Sequence, residues 1–155
     1  MTTFASLPTP IGPVEFELRG DILCRLAFCD AGAAARRPTS TAERALARAI
    51  EDYFDGKVAA LANVPVAAEG SPFHQDVWHM LRTIEPGRTA SYGHLAKRLG
   101  RPGAARAVGR ANHDNPIALV IPCHRVIGQR GQLTGYAGGL ERKQWLLRHE
   151  GALLL

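Results

Sequence analysis

Ser91-Tyr92-Gly93-His94-Leu95-Ala96-Lys97-Arg98-Leu99, Gly100-Arg101-Pro102-Gly103, then Ala104-Ala105-Arg106-Ala107-Val108-Gly109-Arg110-Ala111-Asn112: this run decides the fold of the C-terminal half. Ser91 caps a short helix through Leu99, with Tyr92 at its first position; the Gly/Pro turn breaks it, and a second helix follows from Ala104 to Asn112. Helix, short turn, helix is the helix-turn-helix pattern. On the second helix Ala104, Ala107, Val108 and Ala111 share one face, while Arg106 and Arg110, one turn apart, project together from another. Ala104, Ala105, Ala107, Gly109 and Ala111 leave its backbone nearly bare, which suits tight packing on its own domain or entry into a narrow groove. The bulky polar side chains that read base edges in a major groove are scarce.

Working outward, Ser71-Pro72 supplies an N-cap and a first-turn proline, and Phe73, Val77, Leu81 and Ile84 define the apolar face of a helix. Residues 57–70 lack periodicity and end in Glu69-Gly70, which reads as a linker. Before it, Val14-Glu15-Phe16-Glu17-Leu18 alternates at period two, Arg19-Gly20-Asp21 is a turn signal, and Ile22 to Phe28 resumes the apolar pattern, so a β-hairpin is expected. Residues 31–39 read as a loop. Ser40 with Glu43 makes a capping box, and Leu46, Ile50, Tyr53 and Phe54 fall on one helical face before Asp55-Gly56. The expected architecture is α/β (α+β): an N-terminal sheet-plus-helix domain with linker over 1–70, and a mostly helical domain with the helix-turn-helix over 71–155.

The 155 residues, 46% of them hydrophobic, suffice for a packed core. No basic-then-apolar leader opens the chain and no stretch approaches the roughly 20 apolar residues of a membrane span, so a cytoplasmic protein with no membrane partner is expected. Cys24, Cys29 and Cys123 are odd in number and suit reduced thiols rather than a disulfide framework. Cys24-x4-Cys29 is poorly spaced for structural zinc, and no histidine precedes residue 74 to complete it, so no metal is expected. The net charge of +5 is uneven: residues 1–70 carry seven Lys and Arg against nine Asp and Glu, residues 71–155 twelve against five. A basic second half suits a polyanion such as nucleic acid. Gly135-Tyr136-Ala137-Gly138-Gly139 lacks the spacing of a dinucleotide fingerprint, so no nucleotide cofactor is expected.

Pro122-Cys123-His124-Arg125-Val126 ends the apolar run Ile117-Ala118-Leu119-Val120-Ile121 and sets a thiol beside an imidazole. A thiolate is the attacking species, and His124 and Arg125 could supply the base or positive field that lowers a thiol pKa. The competing reading is a cysteine simply buried in a core. In an extended chain neighbouring side chains diverge, so proton transfer from Cys123 to His124 needs a bent backbone or a bridging water. Glu150, in His149-Glu150-Gly151, is a candidate to hold the imidazole tautomer, although an acid at a helix C-terminus opposes the dipole and reads first as exposed. Asn115, before Pro116, can tie the preceding turn together. Three function classes stay open on these residues: a consumable cysteine acceptor, a helix-turn-helix binder without chemistry, and a cysteine hydrolase using Cys123, His124 and Glu150.

Taken in order, Ser91-Tyr92-Gly93, Ala104-Ala105-Arg106-Ala107-Val108-Gly109, Asn115-Pro116, Ile121-Pro122-Cys123-His124-Arg125-Val126 and Gly135-Tyr136-Ala137-Gly138-Gly139-Leu140 resemble the O6-alkylguanine-DNA alkyltransferases, also called methylated-DNA-protein-cysteine methyltransferases. The resemblance runs from Phe73 to Gly151; the N-terminal half joins it chiefly through Thr9-Pro10-Ile11-Gly12-Pro13. It implies irreversible transfer of an alkyl group from the O6 position of guanine to Cys123 in a single turnover, with no cofactor. His124 would draw the thiol proton through a water, Glu150 would orient it, and Asn115 would brace the turn. Tyr92 would promote nucleotide rotation and help protonate the departing guanine, and Arg106 would enter the stack in place of the extruded base. Ala104, Ala105, Gly109, Arg110 and Arg125 would belong to the DNA-binding set. Tyr136 would wall the pocket, with Gly138 beside it, and the backbone of Cys123, Val126 and Ala137 would hydrogen-bond the guanine. The partner is duplex DNA containing O6-alkylguanine, bound through the minor groove with base flipping by a monomer able to cluster on DNA. Ala137 stands where some members have serine, and Arg88 where an acid is frequent; neither changes the implied reaction class.

Overall fold

The computed structural model describes residues 2–30 and 35–152. They form two compact units: one comprises the residues through Ala68 together with Pro116–Val120, the other Glu69–Asn115 with the residues from Ile121 onward. The expected division at residue 70 is therefore not a single cut, because five residues from the middle of the second half belong to the first unit.

The first unit is a three-stranded antiparallel sheet with one helix. β1 (Thr2–Leu7), β2 (Val14–Arg19) and β3 (Ile22–Phe28) lie in the order β1-β2-β3. Period-two alternation buries Val14, Phe16 and Leu18 on one face of β2. The hairpin turn uses Gly20 at φ 64°, a left-handed conformation that costs glycine little. Strand β1 escapes sequence reading, since Thr2-Thr3-Phe4-Ala5-Ser6-Leu7 places only small Ala5 in the core and leaves Phe4 exposed. Helix α1 (Thr41–Phe54) starts at the expected capping box, with Ser40 Oγ accepting from Glu43 N–H at 3.1 Å and Glu43 Oε1 accepting from Ser40 N–H at 3.1 Å. Backbone hydrogen bonds from Thr39 and Ser40 hold the Glu43 carboxyl down at about 2. Leu46, Ala47, Ile50 and Tyr53 are the buried face.

Residues 57–70 are not a free linker. Leu61 is buried, and Leu23 of β3 exchanges backbone hydrogen bonds with Pro65 O and Ala67 N, each at 2.9 Å. Pro116–Val120 is held likewise: Leu26 N–H donates to Pro116 O at 3.0 Å and Ala118 N–H to Leu26 O at 2.9 Å. β3 thus satisfies its remaining edge with two distant segments, which is why an apolar run before the cysteine joins this unit. Of the loop read over 31–39, residues 31–34 lie outside the described residues; Arg36 pairs with Ser6 through backbone and side chain.

The second unit holds α2 (Pro72–Leu81), β4 (Ala90–Ser91), α3 (Tyr92–Arg98), α4 (Ala105–His113), β5 (Val126–Ile127) and α5 (Leu140–His149). β4 and β5 pair in parallel, Ala90 with Val126 and Ser91 with Ile127. Ser71 caps α2, and Val77, Leu81 and Ile84 are buried as their spacing predicts, together with Trp78. Phe73, only part-buried, sits beneath the Arg101 guanidinium at 5.4 Å. The helix-turn-helix is present, α3 capped by Ser91 and α4 packed against α2 and α3. One face needs correction: α4 buries Val108, Ala111 and Asn112, whereas Ala107 is exposed. Among the described residues no helix is long and apolar enough to cross a membrane.

Candidate active site

The chain enters the site through Pro122, whose ψ of 64° bends it into a single 3-10 turn, Cys123–Arg125. That bend replaces the extended backbone that would have pointed Cys123 and His124 apart. All three turn residues are buried.

His124 is fully buried, and its Nε2 lies 2.8 Å from Glu150 Oε2. The carboxylate can only accept, so in the neutral ring Nε2 carries the hydrogen and Nδ1 presents its lone pair. Among the described residues Nδ1 has no hydrogen-bond partner. Burial holds the His124 pKa below its ordinary value, against the pull of Glu150, so the ring is a neutral base near pH 7. Glu150, the C-cap of α5, has its side chain fully out of solvent. Burial alone would raise its pKa, but hydrogen bonds from His124 and Arg125 outweigh that and hold it at about 2. Arg125 donates from Nε to Oε1 at 2.8 Å and from Nη2 to Oε2 at 2.9 Å, a bidentate clamp, while its Nη1 donates to Ile84 O at 2.6 Å.

Burial pushes the Cys123 thiol above its ordinary range, with the Asn115 amide and the Lys143 charge pulling the other way. The resting residue is a thiol, and a thiol attacks only once it has lost its proton. Asn115 Nδ2 donates to Ile121 O at 2.8 Å, bracing the entry to the turn. Tyr136 sets its ring edge-on to His124, centroids 6.5 Å apart, and its buried hydroxyl has no partner among the described residues.

The model of the 6-O-methylguanine DNA methyltransferase DNA-binding domain matches residues 72–152. A protein of Mycolicibacterium paratuberculosis named methylated-DNA-protein-cysteine methyltransferase is 44% identical over 162 residues, covering 99% of this chain and 98% of its own. The chain belongs to the methylated-DNA-protein-cysteine methyltransferase family. A Shigella flexneri protein of the same name is 55% identical over 119 residues, covering 77% of this chain and 70% of its own. The crystal structure of Mycobacterium tuberculosis OGT in complex with DNA matches with a TM-score of 0.82 at 39% identity, covering 96% of this chain and 92% of that one.

Within this methyltransferase architecture the remaining expected residues lie on or beside α3 and α4, in the cysteine turn and β5, and just before α5. Tyr92 opens α3 and its hydroxyl lies 3.0 Å from Thr134 Oγ1; Gly109 of α4 sits against its ring, where a Cβ would meet Tyr92 at 3.6 Å. Arg106 and Arg110 are exposed on α4, with Ala104 and Ala105 part-buried at its start. Ala137 is exposed, and Gly138 O accepts from Arg142 Nη1 at 3.0 Å. Arg125 departs from its expected DNA-binding role: it is buried, and its guanidinium is committed to Glu150 and Ile84 O. Nor is it the positive field on the thiol: the charge that pulls the Cys123 pKa down is that of Lys143. Val126 is fully buried; its N–H bonds Cys123 O, and its carbonyl accepts from Lys143.

Sequence reading passed over Lys143 and Asn112. Lys143 is fully buried, with Nζ donating to Val126 O at 2.6 Å and Thr134 O at 2.7 Å, and burial holds its pKa at about 8. Its signal was positional, because Lys143 shares the i, i+3, i+4 face of Leu146 and Leu147, both buried. Asn112 donates through Nδ2 to Cys123 O at 3.4 Å, tying α4 to the cysteine turn.

Proposed function

We propose that this protein repairs O6-alkylguanine in duplex DNA by moving the alkyl group irreversibly onto Cys123. The observation that carries the reading is the buried Nδ1 of His124 beside Cys123, without a hydrogen-bond partner among the described residues, with Nε2 fixed by the Glu150–Arg125 pair. The Cys123 proton passes through a water to His124 Nδ1, the sulfur attacks the alkyl carbon, and the carbon–oxygen bond to guanine breaks. A stable S-alkylcysteine remains, so each molecule acts once. The departing guanine takes up a proton, for which the Tyr92 hydroxyl is the assigned donor.

A base inside a duplex cannot reach a buried thiol, so the damaged nucleotide must leave the stack. Bare α4 with outward Arg106 and Arg110 suits a minor groove, and Arg106 is assigned to the vacated position. The protein acts as a monomer, able to cluster on DNA, in the cytoplasm, where a thiol stays reduced.

The test is to incubate the protein with a duplex containing O6-methylguanine and weigh the peptide spanning Cys123. A one-methyl gain with loss of the lesion is expected; an unchanged mass with tight DNA binding would make the protein a lesion binder, and turnover of an ester or peptide at Cys123 a hydrolase. Cys123→Ser should abolish transfer and keep DNA affinity.

A further inference from the structure

Away from Cys123, the side chains of Ser71, His74 and Asp114 form a second hydrogen-bonded chain. Ser71 Oγ lies 2.6 Å from His74 Nδ1, and His74 Nε2 lies 3.1 Å from Asp114 Oδ2. The Asp114 carboxylate only accepts, so in the neutral imidazole Nε2 bears the hydrogen and Nδ1 the lone pair. Ser71 Oγ is then the donor in the 2.6 Å contact. The same oxygen accepts from His74 N–H at 3.2 Å, so it is aimed from both sides. Capping α2 needs only the accepting role; donation into an imidazole oriented by a carboxylate is the nucleophile, base and orienter pattern.

The frame around these groups is fixed. A Cβ on Gly70 would lie 2.6 Å and 2.7 Å from two Trp78 ring carbons, so the backbone entering Ser71 rests directly on the indole. The His74 ring meets the same indole at 5.2 Å and an interplanar angle of 60°. Trp78 Nε1 donates to Ala111 O at 2.8 Å, which holds the end of α4 whose C-cap is Asp114. Ser71 itself is exposed, in contrast to buried Cys123, so an electrophile can reach it from solution.

We propose that Ser71 is a second nucleophile, one that takes an acyl group from an activated carboxylic ester. As Ser71 Oγ attacks the carbonyl carbon, its proton passes to His74 Nδ1 and Asp114 stabilises the imidazolium. The bond from carbonyl carbon to the leaving oxygen then breaks, and that oxygen takes the proton from His74. The products are O-acyl Ser71, the free alcohol and a neutral His74 ready as before.

The full chain is treated with p-nitrophenyl acetate, and the Ser71 and Cys123 peptides are followed separately by mass. Acetylation of the Ser71 peptide is expected, slowed roughly 10²-fold by His74→Gln and by Asp114→Asn. Ser71→Asn keeps an oxygen at the cap but removes the hydroxyl; it should abolish the label while the thermal midpoint and alkyl transfer to Cys123 persist. Absence of acetyl from the Ser71 peptide, or acetylation at a rate that neither His74→Gln nor Asp114→Asn changes, would reduce Ser71 to a helix cap and overturn the proposal.

Discussion

At Cys123 the protein faces a conflict between burial and reactivity. Burial suppresses the thiolate, so in the proposed transfer the site does not store an anion but supplies a base at the moment of attack. His124 suits that proposed role because Glu150 fixes its tautomer, and Glu150 stays ionised because Arg125 clamps both its oxygens. Removing one member of a buried charge pair strands the other, which typically costs about 3–5 kcal/mol. Glu150→Gln should therefore lower stability by an amount of that order and slow alkyl transfer roughly 10²-fold. Denaturant unfolding and single-turnover kinetics read the two separately; loss of stability with full transfer rate would show that Glu150 only supports the fold.

Among the elements, α4 is held from behind and bare in front. Trp78 reaches Ala111 O, Asn112 reaches Cys123 O, and Arg106 and Arg110 face away, exposed. If Arg106 fills the space of an extruded base, Arg106→Ala should slow repair in duplex DNA far more than reaction with a free alkylated guanine base. Equal losses with both substrates would count against that role. In the first unit, α1 depends on its capping box, and Ser40→Ala should cost about 0.5–2 kcal/mol, read as a lower urea midpoint with unchanged slope.

For the whole molecule, three buried groups set the response to acid. Glu43 and Glu150 are held at about 2, below the roughly 4.3 of an unfolded glutamate, and His124 below the roughly 6.5 of a free histidine. In each case the unfolded chain binds the proton more readily, so stability falls as pH falls. The His124 loss begins below about pH 6.5, and the carboxylate losses develop below about pH 4–5. Urea midpoints should drop between about pH 7 and pH 3, less steeply in Glu150→Gln; a flat profile would mean that these groups are not linked to folding. Much of this molecule was legible locally. The hairpin, the Ser40, Ser71 and Ser91 caps and the helix-turn-helix follow from period and cap chemistry, and the order of motifs around Cys123 marked the family. Less legible was whatever depends on distant partners: the pairing of β3 with residues 65–67 and 116–118, the inward Asn112 and Lys143, and the withdrawal of Arg125 from the surface. Even Glu150, a candidate orienter of His124 in the sequence, reads first by position as an exposed acid at an unfavourable helix end. Short-range order is written in neighbouring residues because caps and periodicity act within a turn. The ionisation of Glu150 and the base strength of His124 were decided only by tertiary structure, because desolvation and charge pairing depend on which groups meet in space.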